Sequence, residues 1–250
     1  MVSSPFDAFL GNRNFSLNSL LKFSNIDVRV QKHLARVYAT LALSAAVLAL
    51  GCYVQVSMGA LYGGLTKIGA LGCLLGLSFT NKTPQNLNMR YGLLGGFSFC
   101  TGASLAPLVG LAVAVAPNAL VTAFLGTCAI FLTFSLSALT TQRRAYMYLG
   151  GYLGSAITAL LALRFGSYLF GGRSMVYGME LYGGLMIFSA YILYDTQLIV
   201  ERVSAGDMDH VSHALDLLVD LVAIFVRILI ILLKRSQEEK RRDEERRKRK

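Results

Sequence analysis

Apolar runs long enough to cross a bilayer recur along this chain, and they leave little choice of fold. A membrane-spanning helix needs about 20 predominantly apolar residues. Six such windows are read, at residues 37–57, 61–79, 91–115, 119–140, 146–163 and 181–200. A seventh, residues 215–233, carries Asp216, Asp220 and Arg227 among its aliphatic side chains. The expectation is an all-α, polytopic membrane bundle of six to seven segments, with the charged last segment packed inside the others. Only 15% of the residues are charged, against roughly 25% in soluble domains.

The organisation is simple. Residues 1–34 read as a cytoplasmic N-terminal segment, 35–233 as the bundle and 234–250 as a basic tail. The opening MVSSPFDAFLGNRNF lacks a basic stretch followed by an apolar core, so the first span is expected to act as its own insertion signal. Pro84, Pro117, Arg143-Arg144 and Gly171-Gly172-Arg173 mark the connections. Gly72/Gly76, Gly92/Gly96 and Gly150/Gly154 each put two glycines four apart on one face, and small residues let helices approach closely in lipid. Cys52, Cys73, Cys100 and Cys128 lie in apolar runs without Cys-x-x-Cys spacing and read as packed free thiols.

Lys and Arg set the orientation. With the N-terminus in the cytoplasm, ten basic residues fall on that side and three on the other before the tail is counted. The tail adds ten more, with five acids, and also favours the cytoplasm. Seven full crossings cannot place both ends together, so the charged seventh segment is expected to enter the membrane without an ordinary crossing, or the rule fails at one end.

Asp195, in SAYILYDTQLIV, and the acids of the seventh segment are the informative residues. An aspartate at a helix centre costs about 2.5–3.5 kcal/mol on insertion scales, so such groups face the bundle interior or a wet cavity. Asp216 and Asp220, four apart, share a helix face, and Arg227 lies close to it. A buried ion pair such as Asp220–Arg227 is the plainer reading, but three acids on two neighbouring segments point to a site. Close carboxylates share a proton. Such a pair can sense pH, hold Ca²⁺ among oxygen ligands, or act as an aspartyl protease dyad. The protease reading fails on the second acid: Leu217-Leu218-Val219-Asp220 lacks the Gly-x-Gly-Asp glycines, and no proline follows Pro117.

An ordered set of motifs covers roughly residues 30–235. It begins with His33-Leu34-x-Arg36-Val37-Tyr38, Leu105-Ala106-Pro107 and Thr122-Ala123-Phe124-x-Gly126-Thr127. Arg143-Arg144-x-Tyr146-x-Tyr148-Leu149-Gly150-Gly151 and Asp195-Thr196-Gln197-x-Ile199-x-Glu201 follow. Gly206-Asp207-x-Asp209, His213, Asp220 and Phe225-Val226-Arg227 complete it. With these the chain resembles the Bax inhibitor-1 family. The resemblance implies a non-enzymatic, multi-pass protein of the endoplasmic reticulum that suppresses cell death and leaks calcium in a pH-sensitive way, with no cofactor beyond Ca²⁺ itself. It assigns the proton-sensing and calcium-path pair to Asp195 and Asp220. An arginine partner is expected by the same resemblance, with Arg90 as the candidate. One departure is Leu221, where members commonly have Phe. The expected mechanism holds the bundle shut while the acids are ionised and paired, and frees a helix when one is protonated. The rival function is a non-conducting protein that binds other membrane proteins of cell-death control.

The remaining features weigh less. His33, His210 and His213 lack metal-ligand spacing and read as interfacial. Asp207 and Asp209 read as a solvated turn, with a Ca²⁺-gathering mouth as the alternative. The tail suits anionic lipid or an acidic partner such as calmodulin, and no neighbouring fold offers nucleic-acid readout.

Overall fold

The computed structural model of the chain describes residues 27–59, 63–141 and 146–248. Arg13, Lys22, Arg143 and Arg144 lie outside them. Seven helices follow in order: α1 (Val28–Met58), α2 (Gly63–Phe79), α3 (Leu87–Val115), α4 (Pro117–Thr140), α5 (Leu149–Phe170), α6 (Arg173–Ser204) and α7 (His210–Lys248). The described residues therefore form an all-α bundle. α1, α3, α4, α5 and α6 are long and apolar enough to cross a membrane, while α2 is a shorter apolar helix.

Local chemistry sets the ends. The Asp27 carboxylate accepts from the Arg29 amide at 3.1 Å, satisfying one of the orphan donors of the first turn. α1 stops at Gly59, whose φ of 60° suits a residue without Cβ. Pro117 opens α4, where its missing N–H costs nothing. Gly171 and Gly172 (φ 89° and 79°) turn the chain between α5 and α6.

Each expected window overlaps a helix, and two of the expected segment bounds fall within helices. Residue 34 lies inside α1, and residue 233 inside α7, which runs on without interruption to Lys248. No glycine or proline follows Gly206 to stop it. Arg235–Glu239 and Arg241–Glu245 pairs, one turn apart, support the charged extension.

α7 is the centre of the bundle. It packs against α1, α3, α4 and α6, while α2 leans chiefly on α3 and α5 on α6. Its buried side chains include Val211, Ala214, Leu218, Ile224 and Leu229, a stripe at helical spacing. The closest approach is between α1 and α3. A Cβ on Gly102 would strike the Leu48 carbonyl, and one on Gly51 the Phe99 carbonyl. α2 and α3 interlock reciprocally: Cys73 Sγ sits 2.9 Å from where a Gly96 Cβ would be, and Cys100 Sγ 3.1 Å from that of Gly69. Only one glycine of each expected pair is used so closely, namely Gly76, Gly96 and Gly150; Gly72, Gly92 and Gly154 face open space. Helices that cross at an angle touch over a limited length, so two glycines on one face need not both reach the neighbour. All four cysteines are free.

The two ends of the bundle differ. His33, Lys82, Arg90 and His213 gather at one end. At the other, Lys234 lies 4.0 Å over the Tyr177 ring and Lys240 Nζ donates to the Val115 carbonyl at 2.6 Å. α7 therefore runs the full height of the bundle, and its charged extension leaves at the end opposite His33.

Candidate functional site

α6 and α7 form an antiparallel hairpin through Gly206, whose φ of 103° permits the reversal. Residues about equally far from that turn meet, and four pairs of them carry polar side chains from one end to the other. Nearest the turn, Arg202 Nη1 lies 3.6 Å from Asp216 Oδ2, both partly open to solvent. Next, Asp195 and Asp220 lie side by side, their carboxyls close enough to interact directly. Asp220 is 3% exposed. A hydrogen bond between two carboxyl groups needs a proton on one of them, since two carboxylates only accept. Beyond lies Arg227, 4.4 Å over the Phe188 ring, with Nη1 donating to the Ala223 carbonyl at 2.9 Å. Gly184 provides the notch, because a Cβ there would collide with the guanidinium. Lys234 on Tyr177 closes the series. Asp195, Asp216 and Asp220 thus lie in the half near the turn, with Arg202, and Arg227 and Lys234 in the far half.

α6 is tied to two other helices immediately beside Asp195. Thr196 Oγ1 contacts Ser135 Oγ of α4 at 3.3 Å, and Ser135 in turn meets the Tyr38 hydroxyl of α1. Gln197 accepts from the Tyr146 amide at 2.8 Å and donates to the Ala138 carbonyl at 3.3 Å. Gly150 of α5 lies so close to Tyr194 that a Cβ would come within 2.7 Å of its ring.

A second polar cluster closes the His33 end. Arg90, 2% exposed, donates to Asp209 Oδ2 at 2.6 Å, to Ser212 Oγ at 2.8 Å and to the Thr80 carbonyl at 2.8 Å. Lys82 Nζ lies 3.1 Å from Asp207 and 3.6 Å from Asp209. Burial opposes the charge on Asp209. Hydrogen bonds from Ser212 and the nearby Arg90 and Lys82 charges outweigh it and hold the carboxyl below its usual range. Asp207 is likewise lowered: its burial is overcome by Lys82 and the Asp209 amide. Beside them His33 Nε2 and His213 Nδ1 are 3.1 Å apart, and the Tyr91 hydroxyl reaches His210 at 2.7 Å. One ring of the His33–His213 pair must offer a lone pair, so both cannot be doubly protonated. Burial pushes His213 down to about 4, against the pull of Asp207.

Three of the five site residues expected from sequence, Asp195, Asp220 and Asp216, come together. Arg227 lies on the same hairpin farther from the turn, and no ion pair joins it to Asp220 among the described residues. Arg90 is placed on Asp209, away from the acid pair, because Asp209 opens α7 directly beside the start of α3. Asp207 and Asp209 are accordingly ion-paired to Lys82 and Arg90 and do not form a solvated turn. Sequence reasoning missed Ser135, Thr196 and Gln197, although polar groups inside apolar runs were a usable signal. The His33–His213 contact spans 180 positions and had none. Among the described residues no three or more His, Cys, Asp or Glu are placed to hold a metal. Ca²⁺ takes six to eight oxygens, so two carboxyls fit a passing ion better than a resident one.

The chain is similar to known proteins over most of its length. Residues 30–237 match the family described as "Inhibitor of apoptosis-promoting Bax1". Bax inhibitor 1 of Arabidopsis thaliana is 44% identical over 229 residues, covering 92% of each chain. Bax inhibitor 1 of Rattus norvegicus is 41% identical over 221 residues, 88% of this chain and 93% of the relative. That of Oryza sativa subsp. japonica is 42% identical over 214 residues, 86% of this chain and 85% of the relative. With its apolar helices, the chain is a multi-pass membrane protein, and it belongs to the Bax inhibitor-1 family.

Proposed function

We propose that this protein suppresses cell death from the endoplasmic reticulum membrane by setting a pH-sensitive calcium leak. The observation that carries the reading is the neighbouring Asp195–Asp220 pair between two helices, one of them the central one. A single proton shared by two carboxyls ties α6 to α7. Loss of the shared proton breaks that tie by setting two carboxylates against each other, whereas a second proton removes the pair's negative charge and leaves both carboxyls able to hydrogen-bond. Parted carboxylates offer oxygen ligands to a permeating Ca²⁺, with Asp216 nearer the mouth. Arg227 and Lys234 set a positive barrier in the far half. Because Arg90 is engaged elsewhere, the shared proton itself takes the part assigned to an arginine latch. No cofactor and no enzymatic step enter this mechanism.

Calcium flux into proteoliposomes across a pH series tests it. Asp195→Asn and Asp220→Asn each keep the side-chain shape and remove the titration, so each should flatten the pH dependence. Asp216→Asn, partly solvated and paired with Arg202, should change it less. Folded Asn variants that retain the parent's pH profile would make the acids structural. The exposed helical extension of α7 favours a second reading, a non-conducting protein that recruits membrane partners, calmodulin or anionic lipid. Under it, the Asn variants would leave cell protection intact and removal of residues 234–250 would abolish it.

A further inference from the structure

Many hydroxyls in these helices turn back on their own backbone. Ser98 donates to the Leu94 carbonyl, Thr127 to that of Ala123 and Ser189 to that of Leu185, a local way for Ser and Thr to satisfy themselves in an apolar helix. Ser135 and Thr196 reach sideways instead. Ser135 Oγ lies 3.3 Å from Thr196 Oγ1 and also meets the Tyr38 hydroxyl. Ser135 is 4% exposed and Thr196 is fully buried. Three hydroxyls therefore run from α1 through α4 to α6, and Ser135 serves both links. The last of them belongs to the residue next to Asp195.

The chain bears on the acid pair through the packing of α6. α7 is held on several sides, by α1, α3, α4 and α6. α6 packs mainly on α4, α5 and α7, and α5 is the least buried of the long apolar helices. Beside α7, α4 is therefore the firmest support that α6 has. α4 carries no charged residue along its length, so that support comes from packing and neutral hydrogen bonds. Gln197 makes one, to the Ala138 carbonyl at 3.3 Å, and Thr196 makes the other. A buried hydroxyl without a partner is costly, so α6 cannot slide along α4 without a penalty at Ser135 and Thr196. We infer that Ser135 is a positioning residue for the Asp195–Asp220 pair: it couples Thr196 of α6 to Tyr38 of α1 and so fixes where Asp195 stands relative to Asp220. The inference rests on the proposed role of that pair and names the residue that sets its geometry from outside the α6–α7 hairpin.

Disulfide crosslinking measures that geometry, because the bond forms only when two Cβ atoms come within about 4.5 Å. Asp195→Cys and Asp220→Cys are combined in the full-length protein in nanodiscs, with Cys52, Cys73, Cys100 and Cys128 replaced by alanine. The rate of oxidative crosslinking is then read. Ser135→Ala should slow it by about three- to tenfold, the population change that one buried hydrogen bond supports. Thr196→Val, which keeps the shape and removes the hydroxyl, should slow it comparably, whereas Thr196→Ser should not. The two substitutions together should be no slower than Ser135→Ala alone, since both remove the same link. Ser189→Ala, buried on the same helix but bonded within it, should leave the rate unchanged. No crosslink in the starting pair, or unchanged rates in Ser135→Ala and Thr196→Val, would overturn the inference. So would equal slowing by Thr196→Ser or Ser189→Ala, or additive losses in the double variant. Crosslinking involves neither calcium nor flux, so failure of the leak reading and failure of this inference show separately.

Discussion

Asp195, Thr196 and Gln197 leave α6 in three directions about 100° apart, and each meets a different partner. Asp195 faces α7, Thr196 faces α4 and through Ser135 reaches α1, and Gln197 holds the chain entering α5. Three consecutive polar residues inside an apolar run are costly, and the cost is offset because each one is satisfied. Gln197→Ala would leave the Tyr146 amide and the Ala138 carbonyl without this partner, a loss of about 1–3 kcal/mol. Thermal unfolding in detergent should show a lowered Tm, and an unchanged Tm would remove Gln197 from this role. His213 gives a second expectation. Its folded-state value of about 4 lies below the unfolded value of about 6.5. It therefore stabilises fully above pH 6.5 and loses that contribution as pH falls toward 4, a total of about 3 kcal/mol. His213→Gln should flatten the Tm–pH curve in that window. If the parent's acid sensitivity persists there unchanged, burial of this imidazole is not its source. The acids were legible in the sequence because a charge in an apolar run demands an explanation. The Arg90–Asp209 contact was not legible, because a partner across 119 positions leaves no local trace.

Among the elements, α7 shows most clearly what periodicity can and cannot reveal. Its apolar stripe and its charges announced a buried helix, and it is the one that touches α1, α3, α4 and α6. Its length is not legible from hydropathy, because the end of a hydrophobic window need not be the end of a helix. The i,i+4 ion pairs of the extension were the signal for continuation. Glycine spacing was a weaker guide. The pairs four apart predicted packing faces but not which neighbour would fill them, and the α1–α3 contact rests on Gly51 and Gly102, whose spacing within a helix carries no pattern. Gly102→Val should force α1 from α3, since even a Cβ there meets backbone that cannot rotate away. Overpacking of this kind costs about 1–3 kcal/mol or more. The expected readout is a lower Tm with less folded protein recovered. Gly72→Val, at a position facing open space, should be tolerated, and equal damage from both substitutions would show that the contact is not specific to Gly102.

At the scale of the whole molecule, the structure turns the ambiguity of charge counting into a testable geometry. The loop holding Asn81 and Lys82 sits at the His33 end through the Lys82–Asp207 ion pair. The extension of α7 departs at the other end, its Lys240 ammonium satisfying the last free carbonyl of α3 at Val115. Counting basic residues cannot orient such a molecule, because the ten in the tail oppose those of the first loops and each set favours the cytoplasm. Their relative placement does not depend on that choice. Two glycosylation sites in separate proteins check it: the natural sequon Asn81-Lys82-Thr83, and one appended after the tail. The natural sequon at Asn14 lies outside the described residues and is removed by substitution in both proteins. Glycan should appear on one of the two tested sites and never on both. With the N-terminus in the cytoplasm, the tail site carries it and Asn81 stays bare. Because lack of glycan alone can reflect poor access, protease protection of an epitope at each place should give the complementary pattern, one shielded and one cleaved. If both epitopes are cleaved from the same side of sealed vesicles, α7 does not cross the membrane. The Asp195–Asp220 pair would then have to be reached from one face only, which a path through the bundle does not allow.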